Sequence, residues 1–369
     1  MNEAIAPEQP QARRSWLRPS VSWLIAFIPV TLALEHTGAR PPLVFFSAAL
    51  AIVPIAAWIV RSTEQLSEYT GDAVGGLLNA TFGNAPELII AVIALRAGLY
   101  EMVLASLVGA ILANLLLALG FAFFMGGLRY RDQTYRAGAT RIYISMMLLA
   151  VTSMAVPSAY KAFAPEAMGS AQRLNVAVAA VLLVLYVLYL VFMLKTHPHL
   201  FAVEGGAGHG LRHERWSASR AVVTLLAASA LAAWMSEVLV GAAEGTGKAL
   251  GMSQVFVGLV FLAIVGGAAE SGSAIAMGRA NRMDLAVSIA IGSCIQIALF
   301  VAPILVFVSY LVGPAPLQLQ FPRALVVTVF IGVIVGAVVA GDGHSNWFKG
   351  VQLVAMYALF ALLAYFVPT

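Results

Sequence analysis

GNAPELIIAVIAL, residues 83–95, places a carboxylate where an apolar chain has least use for one. Glu87 opens a long apolar run, one residue after Pro86 and four after Gly83. An ionised side chain deep in a membrane helix costs about 2.5–3.5 kcal/mol even on lenient insertion scales. Pro86 removes a backbone donor and clashes with the carbonyl four residues earlier, at Phe82. A charge and a helix break therefore coincide. Carbonyls freed by such a break must line a cavity or find a partner.

The surroundings are those of a membrane protein. Of 369 residues, 61% are hydrophobic and 10% charged. A soluble domain carries roughly a quarter charged residues, and a single soluble core stops growing near this size. The apolar runs are continuous and of helix length, without the alternation of a β-barrel. Eleven are expected, near 21–38, 42–60, 70–96, 101–126, 140–160, 173–195, 219–244, 252–278, 284–312, 322–341 and 346–367. Residues 1–20 read as a disordered cytoplasmic tail. The formal charge of +4 is better taken loop by loop, so no nucleic-acid partner is inferred. With the N-terminus cytoplasmic, 15 of the 21 Lys and Arg fall inside and 6 outside, which puts the C-terminus outside. This orientation suits a bacterial inner membrane. The single cysteine, Cys294, excludes an intrachain disulfide and a structural thiolate metal site.

The opening stretch has a partner. GGAAESGSAIAMGRA, residues 266–280, aligns with GNAPELIIAVIALRA, residues 83–97, at a shift of 183. Gly83 pairs with Gly266, Ala85 with Ala268 and Glu87 with Glu270. Without a gap the register continues through Glu101 and Asp284, Gly109 and Gly292, and Leu116 and Leu299. Five spans is an odd number, so a second block of five enters the bilayer with opposite orientation. The expected fold is an all-α polytopic membrane protein of about 11 transmembrane helices. Two inverted five-helix repeats, 42–195 and 219–369, follow an extra N-terminal helix, 21–38. The connection 196–218 reads as a solvated cytoplasmic linker; its His197, His199, His209 and His213 make a regulatory metal site the lesser reading.

Gly266 and Gly267 allow in the second repeat the distortion that Pro86 imposes in the first. Two carboxylates and freed carbonyls make a cage of hard oxygens. That donor set suits Ca²⁺, which takes about 6–8 oxygens. Pairing with a base is the plainer alternative for a membrane glutamate, but Arg96 and Arg279 fall near the helix ends. Asn114, Ser293 and Gln296 interrupt the apolar helices that follow, either as further ligands or as interhelical hydrogen bonds.

The stretches 66–98, 235–245 and 281–303 resemble the calcium/cation antiporter superfamily, and within it the cation/proton exchanger (CAX) family. The resemblance implies exchange of Ca²⁺, as transported substrate, for H⁺, with no cofactor and no enzymatic step. It implies that Glu87 and Glu270 bind the cation, with Asn84 helping and Gly83 and Gly266 shaping the breaks. The second signature departs from the family's GNAAEH: Gly267 replaces asparagine and Ser271 replaces histidine. Ala110 stands where serine is common, and the linker lacks the acidic stretch that many members carry. Exchange of Na⁺, K⁺ or Mn²⁺ for H⁺ therefore stays open. Protons and cation would compete for Glu87 and Glu270, and Glu68, Glu237 and Glu244 are candidates for a proton path or for water-facing interfacial positions. An intramembrane hydrolase is the remote alternative: Ser271 and Ser273 flank a glycine, and His36 and His344 exist, but no nucleophile motif surrounds either serine. The sequence leaves homo-oligomerisation open.

Overall fold

The computed structural model describes residues 21–163, 168–201 and 215–366. The tail 1–20, with His209 and His213 of the linker, lies outside them. Helices are α1 (Val21–His36), α2 (Pro41–Phe82), α3 (Ala85–Arg96), α4 (Tyr100–Tyr130), α5 (Ala137–Phe163), α6 (Ser170–Thr196) and α7 (Ala218–Leu250). They continue as α8 (Gln254–Gly266), α9 (Ala268–Arg279), α10 (Met283–Val312), α11 (Arg323–Ala340) and α12 (Trp347–Phe366). Among the described residues eight helices are long and apolar enough to cross a membrane, or nine when α8 and α9, bent by 61°, count as one broken span.

The remaining two expected spans take different forms. Residues 21–38 form the shorter helix α1. Residues 70–96 were expected as a span separate from 42–60, but helical geometry runs on from Pro41 to Phe82. The chain nonetheless reverses there. A Cβ on Gly75 would stand 2.6 Å from the Ser67 carbonyl oxygen, whereas eight residues of straight helix separate two atoms by about 12 Å. The connection expected at 61–69, RSTEQLSEY, holds no Gly or Pro and stays helical.

The 183-residue shift reappears in the backbone. Both broken helices restart as 12-residue segments, α3 and α9. Their N-caps, Asn84 and Gly267, hold matching dihedrals of φ −93°, ψ 19° and φ −80°, ψ 12°. Each segment ends at a left-handed residue, Gly98 at φ 77° and Asn281 at φ 60°. Both following helices contain π-helical turns, Ala113–Ala118 in α4 and Ile297–Val301 in α10. Such turns recur at functional sites because they redirect side chains.

α4 is the most enclosed helix, with 89% of its apolar window buried against 28% for α6 and α12. The core sits around it. Small residues let backbones approach, as membrane helices require: a Cβ on Gly109 would stand 2.1 Å from the Leu259 carbonyl oxygen of α8. α2 packs along its counterpart α7.

Loops that the charge count assigns to one side touch one another. Asp132–Thr134 (β1) pairs antiparallel with His344–Asn346 (β2). Gln133 Nε2 donates to Asn281 Oδ1 at 2.8 Å, and the Arg136 backbone N–H to Asp284 Oδ1 at 2.7 Å. On the other side Tyr100 donates its hydroxyl to the Ala315 carbonyl at 2.7 Å. Asn175 bonds the backbone of Leu317 and Leu319 at 2.9 and 2.8 Å.

Candidate cation site

Glu87 and Glu270 lie in the first turns of α3 and α9, directly after the two breaks. Proline at the second position of α3 costs no helical hydrogen bond, because first-turn donors have no partner inside the helix. A carboxylate in a first turn also meets the positive end of the helix dipole. Each glutamate is 8% exposed, and the two carboxyl groups lie close enough for their charges to act on each other. Arg96 and Arg279 occupy the last turns of the same helices, the far ends from the carboxylates. Among the described residues neither glutamate has a basic partner.

The surrounding groups come from both repeats. A Cβ on Gly266 would stand 2.9 Å from Glu87 Cγ, so glycine there lets the Glu87 side chain cross the α8–α9 break. Asn84, 1% exposed, donates its amide to Gln296 Oε1 on α10. Asn114 is 1% exposed in the π turn of α4, and neither atom of its amide has a hydrogen-bond partner. Asn84 Oδ1, Glu87 Oε1 and Oε2, Asn114 Oδ1 and Glu270 Oε2 are all buried oxygens without a protein donor. Such a set is costly in an apolar interior unless a cation or protons meet it. Among the described residues no group of three His, Cys, Asp or Glu could hold a metal. A cation here would rely on two carboxylates, amide oxygens and water, a set that fits a hard ion.

The two glutamates differ in access. Glu270 borders a cavity of about 210 Å³ that also includes Gly83, Ser273, Ser288, Gly292, Ser293 and Gln296. Val60 and Glu64 of α2, Tyr143 of α5, and Tyr189 and Met193 of α6 also line it. Glu87 borders only about 10 Å³, beside Ile90, Ser106, Ala110, Leu262 and Ile297. The two spaces are counterparts, since Ser273 matches Ile90, Ile289 matches Ser106 and Ser293 matches Ala110 at the shift of 183. Helix packing reflects the same imbalance. Gly109 is pressed onto Leu259, whereas a Cβ on its counterpart Gly292 would meet nothing within 4 Å.

The candidates for a proton path lie elsewhere. Glu68 pairs with Arg215 at 3.3 Å, Glu237 with Arg96 at 3.5 Å, and Glu244 accepts from Gln254 at 3.0 Å. All three are surface pairs, outside the cavity at Glu270. Glu64 is the carboxylate that shares this cavity, and sequence reasoning missed it because the apolar run ends at Val60. Tyr143, bonded to Ser288 at 3.1 Å, was missed because nothing distinguishes it from a packing aromatic. In the linker, His197 stacks on Phe192 at 4.4 Å and lies 5.9 Å from His199 between ring centroids. Trp216 is anchored through its backbone to Gln65 and Tyr69, so the C-terminal end of the linker is tied to α2.

Comparison with known proteins agrees with this architecture. The family model described as sodium/calcium exchanger protein matches residues 41–195 and again 220–366. The chain is 39% identical to the Ca²⁺/H⁺ antiporter of Synechocystis over 368 residues, covering 94% of this chain and 97% of that protein. It is 39% identical to the Ca²⁺/H⁺ antiporter ChaA of Bacillus subtilis over 327 residues, covering 87% and 92%. The solved structure of YfkE superposes with a TM-score of 0.81 at 34% identity, covering 94% of this chain and all of that one. With both halves matched, and relatives covered nearly end to end, the chain belongs to the sodium/calcium exchanger protein family.

Proposed function

We propose that the chain is a secondary antiporter that exchanges Ca²⁺ for H⁺ across the membrane by alternating access. One observation carries this most directly: two counterpart glutamates, buried and without a base, interact across the interface of the repeats. Two carboxylates balance one divalent cation. Without the cation they face each other in an apolar interior, where protons are the remaining way to remove the repulsion. Cation and protons therefore use the same oxygens and exclude each other. The loaded forms can change sides, whereas two bare carboxylates would be held back by their desolvation cost. The similarity to Ca²⁺/H⁺ antiporters supports the choice of ions.

The repeats would be 42–195 and 219–369, joined by the linker 196–218 and related by a pseudo-two-fold axis in the membrane plane, with 21–38 as an extra span and Ca²⁺, H⁺ and lipid as partners. The N-terminus would be cytoplasmic and the C-terminus outside. The Lys and Arg distribution supports this, as does the segregation of loop contacts to two sides. The cavity at Glu270 then opens toward the cytoplasm, since Glu64 and Met193 lie near the linker. The Glu87 side, shut where Gly109 meets Leu259, would be the outward route. Glu87 and Glu270 carry the ions, Asn84, Asn114, Ser293 and Gln296 complete the polar shell, and the loops beside Gly83 and Gly266 shape it. Glu68, Glu237 and Glu244, paired at the surface, act at most at the ends of the proton route. Ca²⁺-driven proton movement in inside-out vesicles tests the assignment, and no movement at all would refute it.

A second reading, exchange of Mn²⁺, Na⁺ or K⁺ for H⁺, is favoured by Gly267, which removes an amide from the second break. Competition among these cations in the same vesicles decides between the two.

A further inference from the structure

The two helix breaks agree in backbone and differ at two side chains, Asn84 against Gly267 and Pro86 against Ala269. Asn84 and Gly267 are counterparts with nearly the same N-cap dihedrals. In the first repeat the Asn84 amide reaches across to Gln296 on α10. By the shift of 183 the reciprocal contact would run from residue 267 to Ala113, the counterpart of Gln296 at the start of the π turn of α4, and neither glycine nor alanine has a polar side chain to make it. The amide on that side belongs to the next residue, Asn114. It is 1% exposed, and neither amide atom is bonded to protein. A Cβ on residue 267 would stand 3.3 Å from the Ala263 carbonyl oxygen, 3.6 Å from Asn114 Oδ1 and 3.6 Å from Glu87 Oε1. The space that an amide would fill is thus bordered by a buried, unpartnered carboxamide and a buried carboxylate. That supplies two of the polar partners a buried water needs.

Resting on the antiporter assignment above, we propose that position 267 sets the ion selectivity of the site, because a water kept by the cation occupies the place that the Asn84 side chain fills in the other repeat. Asn114 and Glu87 hold that water. The bound cation is stripped more fully on the α3 side than on the α9 side. Ions that surrender water reluctantly, Mg²⁺ above all, are then penalised less than in a site with amides at both breaks. The asymmetry lies in the protein rather than in the ion, and at the two N-caps it is the difference between Asn84 and Gly267.

The test uses the full chain, purified for Ca²⁺ binding and reconstituted in vesicles for Ca²⁺ uptake, with Mg²⁺ as competitor in both. Gly267→Asn replaces the water by a protein oxygen and is expected to raise Ca²⁺-over-Mg²⁺ discrimination about tenfold, or about 1.4 kcal/mol. Gly267→Ala adds bulk without an amide and is expected to leave that ratio within about threefold. Asn114→Ala and Gly267→Asn are expected to be non-additive in a double-mutant cycle, coupled by fivefold or more. Unchanged discrimination in a folded Gly267→Asn protein, or additive effects of the two substitutions, overturns the proposal. Should that variant not insert, Gly267→Ser carries the same expectation with less bulk. Glu87→Gln separates the two levels. Ca²⁺ binding that survives Glu87→Gln removes the antiporter site itself. Lost binding there, with discrimination unmoved at position 267, removes only the hydrated-ligand assignment.

Discussion

Cys294 donates its thiol to the carbonyl of Ile111 at 3.3 Å, and Ile111 is the residue 183 positions before it. A residue meets its own counterpart only at a rotation axis. Glu87 and Glu270, also 183 positions apart, are near enough for their charges to act on each other. In the proposed repeat arrangement, the pseudo-two-fold axis passes near the crossing of α4 and α10 and between the two carboxylates. On that proposal a single ion at the axis is shared by both repeats.

Removing either carboxylate should stop exchange without stopping insertion. Glu87→Gln and Glu270→Gln keep shape and hydrogen-bonding capacity but leave one charge to balance a divalent cation. Each is expected to reduce Ca²⁺ uptake into inside-out vesicles by about a hundredfold or more, about 2.7 kcal/mol. Near-normal uptake in a correctly inserted variant would contradict the shared site.

The matched glycines should respond differently. A Cβ at Gly109 has no room against Leu259, so Gly109→Ala is expected to cost about 1–3 kcal/mol and lower the thermal midpoint. Gly292→Ala meets open space and is expected to leave stability unchanged. If the repeats exchange roles during transport, Gly292 enters the close packing in the other state, and Gly292→Ala slows turnover severalfold. Equal loss of stability at the two positions would show that the packing asymmetry is not a property of the protein in solution.

Gln296→Leu should weaken cation binding through Asn84. The substitution leaves the buried Asn84 amide without its acceptor. That costs about 1–3 kcal/mol, read as a loss of Ca²⁺ affinity or of thermal stability. Gln296→Glu keeps an acceptor and is expected to restore much of it. Equal behaviour of the two variants would place Gln296 outside the site.

Much of this architecture was legible because membrane insertion imposes its rules one residue at a time. Apolar length gave eight or nine of the eleven expected spans, and Glu87 with Glu270 pointed to the repeat, since a buried charge tolerates no coincidence as cheap as a matched alanine. Pro86 located the break at the point where α2 ends and α3 begins. The reversal within 61–75 was not legible, because RSTEQLSEY has good helix formers and no breaker. Glu64 was missed because it lies beyond an apolar run and reaches the site only through the cavity between α2, α5, α6 and α10. The surface pairing of Glu68, Glu237 and Glu244 depends on partners 141–147 residues or ten residues away, which no local pattern reveals. The relation of Gly267 to Asn114 is likewise a matter of which side chain crosses the axis, not of spacing along one helix.

Acid should antagonise the cation. If Ca²⁺ binding requires both carboxylates ionised, its apparent affinity falls between about tenfold and about a hundredfold per pH unit where the pair titrates, the limits for one and two displaced protons. Binding measured from pH 8 to pH 6 reads the slope, and a flat profile would mean that cation and protons use separate groups.

The shared site is tested most directly by counting protons released when Ca²⁺ is added to purified protein in weakly buffered solution. The natural chain should release between one and two protons per Ca²⁺ bound, with the number falling as the starting pH rises. Glu87→Gln and Glu270→Gln should release none at the same Ca²⁺ concentration. Saturable Ca²⁺ binding without proton release across that pH range, or full release from either variant, would contradict competition for Glu87 and Glu270.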